Sequence, residues 1–301
     1  MPVVVVLVAG VAAGAVVTFV AARFPAIDPA APHVSTETVR REVQSHPRPA
    51  TFLQARLDPE QATGLLLSVA LAIAMLGAVA IGALLVMVQH HALVARYDAG
   101  AARWGANHAT ASSTRVLRDI SMLGGTVVTI VVGVVVAVTE WIRSRRAAVI
   151  AFMATVIVGE VLVMNATKFL VDRQRPDIRQ LTGFSGSSFP SGHATAAAAT
   201  FAAAAFLLGR ARSRRVKAAY AGLAAAIAVA VATTRVLLGV HWVTDVLAGL
   251  ALGWGWFALS SIAFGGRLLR FGQPVAVAEA TAAFVPSGDD HRRAGARSGR
   301  A

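Results

Sequence analysis

The chain has 301 residues, of which 56% are hydrophobic and only 14% charged, and its mean hydropathy of +0.64 excludes an ordinary soluble domain. A formal charge of +13 sits in loops and the tail beside long apolar runs, which favours anionic membrane lipids over nucleic acid as the partner. Cysteine is absent, so disulfides and thiol catalysis are excluded.

In chain order, apolar runs near 3–22, 65–89, 121–141, 147–168, 192–209, 218–236 and 242–264 are each about long enough to cross a ~30 Å hydrocarbon layer. The fold class is therefore all-α, a polytopic transmembrane helical bundle. Val/Ala/Gly-rich content fits close helix packing, above all in the alanine-heavy run after position 192. The first run lacks a basic n-region, so it resembles neither a secretory signal nor an inside-anchored helix. Seven-span parity starts it outside and leaves Arg23 inside; the alternative is that residues 3–22 do not span. A proline-bearing connector follows, and near its end Asp58-Pro59-Glu60-Gln61 reads as a cap, first-turn proline and box residue opening the second run.

Residues 92–120 carry Tyr97, Trp104, Arg96, Arg103, Arg115 and Arg118, a basic amphipathic stretch suited to headgroups, with a solvated loop as the alternative. Glu160 and Asn165 fall inside a span and are expected to face the bundle interior, with structural hydrogen bonding preferred over site support. Arg143, Arg145 and Arg146, and then Arg210, Arg212, Arg214, Arg215 and Lys217, fill two short connections that should be cytoplasmic. Arg267 and Arg270 then fall inside, and the polar clusters described next fall together on the extracytoplasmic side. The tail to residue 301, rich in Gly, Ser and Arg, reads as disordered.

Three stretches carry chemistry: KFLVDRQRP at 168–176, PSGH at 190–193 and TRVLLGVHWVTD at 234–245. Lys168, Arg175 and Arg235 supply three positive charges, enough to offset a phosphate dianion; taken singly, each would more often be a cation snorkelling to headgroups. Lys168 is one of two lysines in an arginine-rich chain, which suggests a position wanting a compact ammonium. Pro190 and Ser191 at a helix start leave backbone N–H groups pointing outward, and Gly192 lets an anion approach the main chain. An ordinary capped helix would look the same, apart from His193 in its first turn. His241 and Asp245 are four residues apart, so on a helix they share a face and the carboxylate can fix one ring nitrogen as donor, leaving the other as nucleophile or base. Such a pair is more often a satisfied polar contact, but the apolar run from Val246 to Phe264 has no other ionisable group.

Taken jointly and in order, these motifs resemble the three-part signature of the type 2 phosphatidic acid phosphatase superfamily, which includes the vanadium haloperoxidases. The resemblance covers about 65–264, with Thr234 standing where the family usually has Ser. It implies residues 1–22 as an extra N-terminal transmembrane helix, 23–64 as connector, 65–264 as a six-span lipid phosphatase core and 265–301 as a basic cytoplasmic tail. It further implies that His241 attacks phosphorus to form a phosphohistidine, Asp245 holds its tautomer, and His193 protonates the leaving oxygen and later deprotonates water. Lys168, Arg175, Arg235, Ser191 and Gly192 would hold the phosphoryl oxygens, with no metal and no cofactor.

The expected activity is metal-independent hydrolysis of a lipid phosphate or diphosphate. By the resemblance to bacterial members, undecaprenyl diphosphate, phosphatidylglycerophosphate and phosphatidic acid are the substrates to consider. The alternative is a phosphotransferase passing the same phosphohistidine to a sugar or lipid hydroxyl. Vanadate-dependent halide oxidation and transport with a vestigial site are the remaining readings; the apolar spans oppose the first and the intact motifs oppose the second.

Overall fold

The structure is a computed structural model that describes residues 1–23, 95–210 and 212–270. The expected second span at 65–89, the Asp58–Gln61 cap, the remainder of the connector and the tail past 270 lie outside the described residues. Met1–Gly265 form one compact unit, and Gly266–Ala301 the other, of which the end of the last helix is described.

Among the described residues the protein is all helix: α1 (Pro2–Arg23), α2 (Ala95–Asn107), α3 (Ala111–Met122), α4 (Thr126–Ser144), α5 (Ala147–Val171), α6 (Gly192–Gly209), α7 (Arg214–Leu237) and α8 (Val243–Arg270). Six of them, α1 and α4 to α8, are long and apolar enough to cross a membrane. The spans follow the expected runs with one informative shift. The expected run from 121 holds a break at Gly124-Gly125, so α3 stops at Met122 and the spanning helix begins only at Thr126.

Of the stretch 92–120, expected at the surface, the described part from residue 95 folds as two amphipathic helices, α2 and α3. Thr110 opens α3 with a capping box: its hydroxyl accepts the Ser113 N–H, and its own N–H donates to Ser113 Oγ. Trp104 stacks on His108 and packs against a cluster formed by Val6, Leu117, Leu181, Leu237, Leu238 and Val240. Arg118 reaches across to donate to the carbonyl of Leu181.

α6 is the hub, packed against α4, α5 and α7. Its sequence is the cause: Ala194, Ala197 and Ala198 have no bulk beyond Cβ, so neighbouring backbones close in, and they share a buried cluster with Ala228, Val231 and Ala232 of α7 and Val246 and Leu250 of α8. α5 and α8 are joined by Trp256, whose indole N–H donates to the Thr155 carbonyl.

α1 lies antiparallel on α7. Val6 joins the cluster around Leu237 and Val240, while at the far end the Arg214 guanidinium donates to the Ala22 carbonyl. The contact is made by small residues: a Cβ on Gly10 would meet the Ala226 carbonyl oxygen at 3.0 Å, and one on Gly14 the Gly222 oxygen at 2.9 Å.

The connection between α4 and α5 is two residues long, turned by Arg145 in the left-handed region at φ 55° with its N–H on the Trp141 carbonyl. The α6–α7 connection lies at the same end, where Arg210 feels the charges of Arg146 and Glu140. The three motifs gather at the opposite end. Asn165 departs from expectation, being exposed, with its side-chain amide donating to Val161 of its own helix. Glu160 is buried as expected, yet its Oε2 has no hydrogen-bond partner among the described residues.

Candidate active site

The site is assembled by one loop and the ends of five helices. α5 brings Lys168 in its last turn, after which Asp172 at φ 38° turns the chain out of the helix into loop 172–191. The Lys168 ammonium donates to the Ser187 carbonyl at 2.8 Å. α6 begins at Gly192 with Ser191 as its N-cap residue, and no side chain caps it, so the outward N–H groups of the first turn are not taken by a capping oxygen. Ser191 is fully buried and its hydroxyl has no partner among the described residues. α7 brings Arg235 in its last turn, buried, with Nη1 donating to Ser121 Oγ of α3 at 3.0 Å and Nε likewise without a partner among the described residues.

His241 does not sit on a helix, which corrects the sequence reading. Gly239, at φ 73°, turns the chain after α7, so His241 lies in the turn and Asp245 in the first turn of α8. The two still meet, with Nδ1 of His241 3.4 Å from Oδ2 of Asp245, both side chains buried. The same carboxylate is held more closely by others. Oδ2 accepts the Trp242 N–H at 2.9 Å and the Ser188 hydroxyl, while Oδ1 accepts Nη1 of Arg173 at 2.6 Å.

The other ring nitrogen, Nε2, faces Nη1 of Arg175 at 3.3 Å. A guanidinium only donates, so Nε2 accepts and carries the lone pair, and in the neutral ring the proton sits on Nδ1 toward Asp245. Burial pulls the His241 pKa down to about 4; the hydrogen bond and charge of Asp245 oppose this, and Arg175 and Arg235 add to it. The imidazole is thus neutral at neutral pH.

Arg175 is used differently from the expectation of a plain phosphate holder. Nε donates to Gly186, Nη2 to Ser185 and Ser187, and Nη1 to Val240, all backbone carbonyls, so Arg175 folds the loop and keeps one contact, at His241, for the site. Its guanidinium also lies 4.8 Å from the Phe184 ring centroid. His193 stands within electrostatic reach of Arg235, His241, Lys168 and Arg175, so the structure brings the eight expected residues to one end of the bundle. Thr234 points its hydroxyl to the Val231 carbonyl of its own helix at 2.6 Å rather than toward this cluster.

Sequence reasoning missed Arg173, Ser188, Asp98 and Ser121. Arg173 stood inside the first motif, two residues before Arg175, and a second cation so placed was the available signal. Asp98 and Ser121 gave none, because they lie far from the motifs in sequence.

Among the described residues this is an all-helical membrane protein, with apolar spanning helices around a buried His–Asp pair and convergent cations. Residues 147–268 match the PAP2 superfamily. It is 40% identical over 119 residues to a lipid A 1-phosphatase of Rhizobium etli, covering 36% of this chain and 47% of that protein. It is also 40% identical over 115 residues to phosphatidylglycerophosphatase B of Bacillus subtilis, covering 37% of this chain and 56% of that one. The chain thus matches about half the length of these relatives. Its fold is similar to the crystal structure of a transmembrane PAP2-type phosphatidylglycerolphosphate phosphatase from Bacillus subtilis, with a TM-score of 0.58 and 26% identity over 67% of this chain and 98% of that one.

Proposed function

We propose that the protein is a membrane-embedded hydrolase that removes phosphate from a lipid phosphate or diphosphate through a phosphohistidine on His241. The observation that carries this reading is a ring nitrogen with its lone pair held toward a cluster of cations, beside two buried donors, Ser191 Oγ and Arg235 Nε, that have no partner among the described residues. Unmet buried donors are costly, and an anion at this point would satisfy them.

In the first step the Nε2 lone pair attacks phosphorus and the bond to the lipid oxygen breaks, while His193 gives that oxygen its proton. In the second, His193 takes a proton from water as the water oxygen displaces His241, releasing inorganic phosphate. The incoming phosphoryl group takes the place of the Arg175–His241 contact, so the Nη1 proton turns to a phosphoryl oxygen. Lys168, Arg235, Ser191 and the Gly192 amide hold the others. Asp245 keeps the Nδ1 proton in place and offsets the charge of the phosphorylated ring.

The named activities of the relatives support a lipid as the carrier, and a site at the end of an apolar bundle suits a substrate that diffuses within the leaflet. Undecaprenyl diphosphate, phosphatidylglycerophosphate and phosphatidic acid are the substrates to test first. The site faces the extracytoplasmic side of the cell membrane, because the basic connections lie at the other end. No metal takes part: phosphate release should persist in EDTA, and loss in EDTA with recovery in magnesium would overturn that part. Purified protein should release phosphate from one of these lipids, and His241→Ala and His193→Ala should each lose on the order of 10³-fold or more in kcat. Release that depends on an added hydroxyl acceptor would instead favour a phosphotransferase.

A further inference from the structure

Arg173 sits between two buried carboxylates. Its Nη1 donates to Oδ1 of Asp245 at 2.6 Å and to Thr244 Oγ1 at 2.7 Å, and its Nη2 donates to Oδ2 of Asp98 at 2.9 Å. The guanidinium is 5.4 Å from the ring centroid of Trp242. Asp98, on α2, accepts the Thr244 N–H at 3.0 Å and the Thr244 hydroxyl at 2.7 Å, so it caps the first turn of α8 from another helix. A continuous chain of charge-assisted hydrogen bonds therefore runs from α2 through the loop to the carboxylate beside His241. Arg173 shows no contact with the unpartnered donors of the phosphate cluster, and Asp98 lies outside the stretch matched to the superfamily.

We infer that Arg173 and Asp98 are positioning residues for the His241–Asp245 pair, with Arg173 drawing Asp245 away from the imidazole and Asp98 setting how much of the Arg173 charge Asp245 receives. The geometry carries this. The carboxylate lies closer to Arg173, at 2.6 Å, than to His241, at 3.4 Å, so most of its charge is already spoken for. A carboxylate shared in this way raises the basicity of its histidine less than a free one would. The inference rests on the phosphatase reading for its catalytic meaning, though the coupling itself is a property of the protein without substrate.

The charged groups around His241 are Asp245 of α8, Arg173 and Arg175 of the loop, Arg235 of α7, His193 of α6 and Lys168 of α5, with Asp98 of α2 behind Arg173. Removing Arg173 frees the Asp245 charge for the imidazole, so the His241 titration should move to higher pH. Neutralising Asp98 turns Arg173 wholly onto Asp245, so the titration should move to lower pH. A merely structural network would move neither, or both the same way.

The test is an NMR titration of histidine-labelled full-length protein in detergent, with the His241 signal assigned by its loss in His241→Gln. Arg173→Ala should shift it upward by roughly one pH unit, Arg173→Lys by less, and the near-isosteric Asp98→Asn downward. Unmoved midpoints, or shifts of the same sign in Arg173→Ala and Asp98→Asn, would overturn the inference. Should Arg173→Ala fail to fold, the Arg173→Lys and Asp98→Asn pair still decides it by the sign of their shifts. In the phosphatase assay Arg173→Ala should lower kcat by about 10–100-fold with KM nearly unchanged, as for outer partners that orient a ligating histidine. Absence of phosphate release by the wild-type protein would overturn the phosphatase reading while leaving the titration result to stand by itself.

Discussion

His241 is made available by a balance of opposed effects. Its burial disfavours the charged ring, Asp245 favours it, and two arginines disfavour it again, with a pKa of about 4 as the net result. The consequence for rate has a definite sign. In the proposed mechanism attack by His241 needs the neutral form, which predominates above the pKa, so the acid limb of kcat/KM should appear only as pH falls toward about 4. A pH–rate profile corrected for substrate ionisation measures it; an acid limb near pH 6.5, the ordinary histidine value, would contradict the burial argument. At this scale the motifs made the candidate site residues legible, because their identity is their chemistry. How Arg175 spends its donors was not legible: four of its contacts go to loop carbonyls, and no spacing rule reveals a backbone conformation.

Elements meet the site through close approaches that side-chain bulk would forbid. The α3–α4 turn is tied by three successive backbone bonds, Leu123 to Ile120, Gly124 to Ser121 and Gly125 to Met122, and it presses on the start of α6. A Cβ at Gly124 would lie 2.5 Å from the His193 carbonyl oxygen and 2.6 Å from Val231 Cγ1. Gly124→Ala should therefore displace His193, lowering kcat at least tenfold, with overpacking costing about 1–3 kcal/mol in stability. Activity and thermal melting of the purified variant read the two effects separately. Along α1 and α7 the contact is equally close: a Cβ on Gly222 would overlap the Thr18 hydroxyl and approach the Gly14 oxygen to 2.6 Å. Gly222→Val should lower the melting temperature by several degrees by forcing α1 away from α7. Helix positions were legible from apolar length, since lipid demands it. The shift of α4 to Thr126 and the packing of 95–122 were not, because both depend on which neighbour the segment meets.

For the whole molecule, the arrangement has two ends. One holds the α4–α5 and α6–α7 connections with their arginines, and the other gathers the site. The absence of cysteine makes the orientation directly testable. Ser185→Cys, in the exposed loop at the site end, should react with a membrane-impermeant maleimide in intact cells, and Arg212→Cys at the other end only after permeabilisation; the reverse pattern would place the site inside. By itself the sequence determined the class of fold and the apolar spans and named the candidate site residues, because hydrophobic length and functional-group chemistry are local properties. Only the tertiary structure decided that Asp98 and Ser121, lying before the matched stretch, reach Arg173 and Arg235, and that Asp245 is shared among four donors. Those contacts join residues as many as 114 positions apart, and which distant groups a buried side chain finds is fixed by helix packing rather than by spacing along the chain.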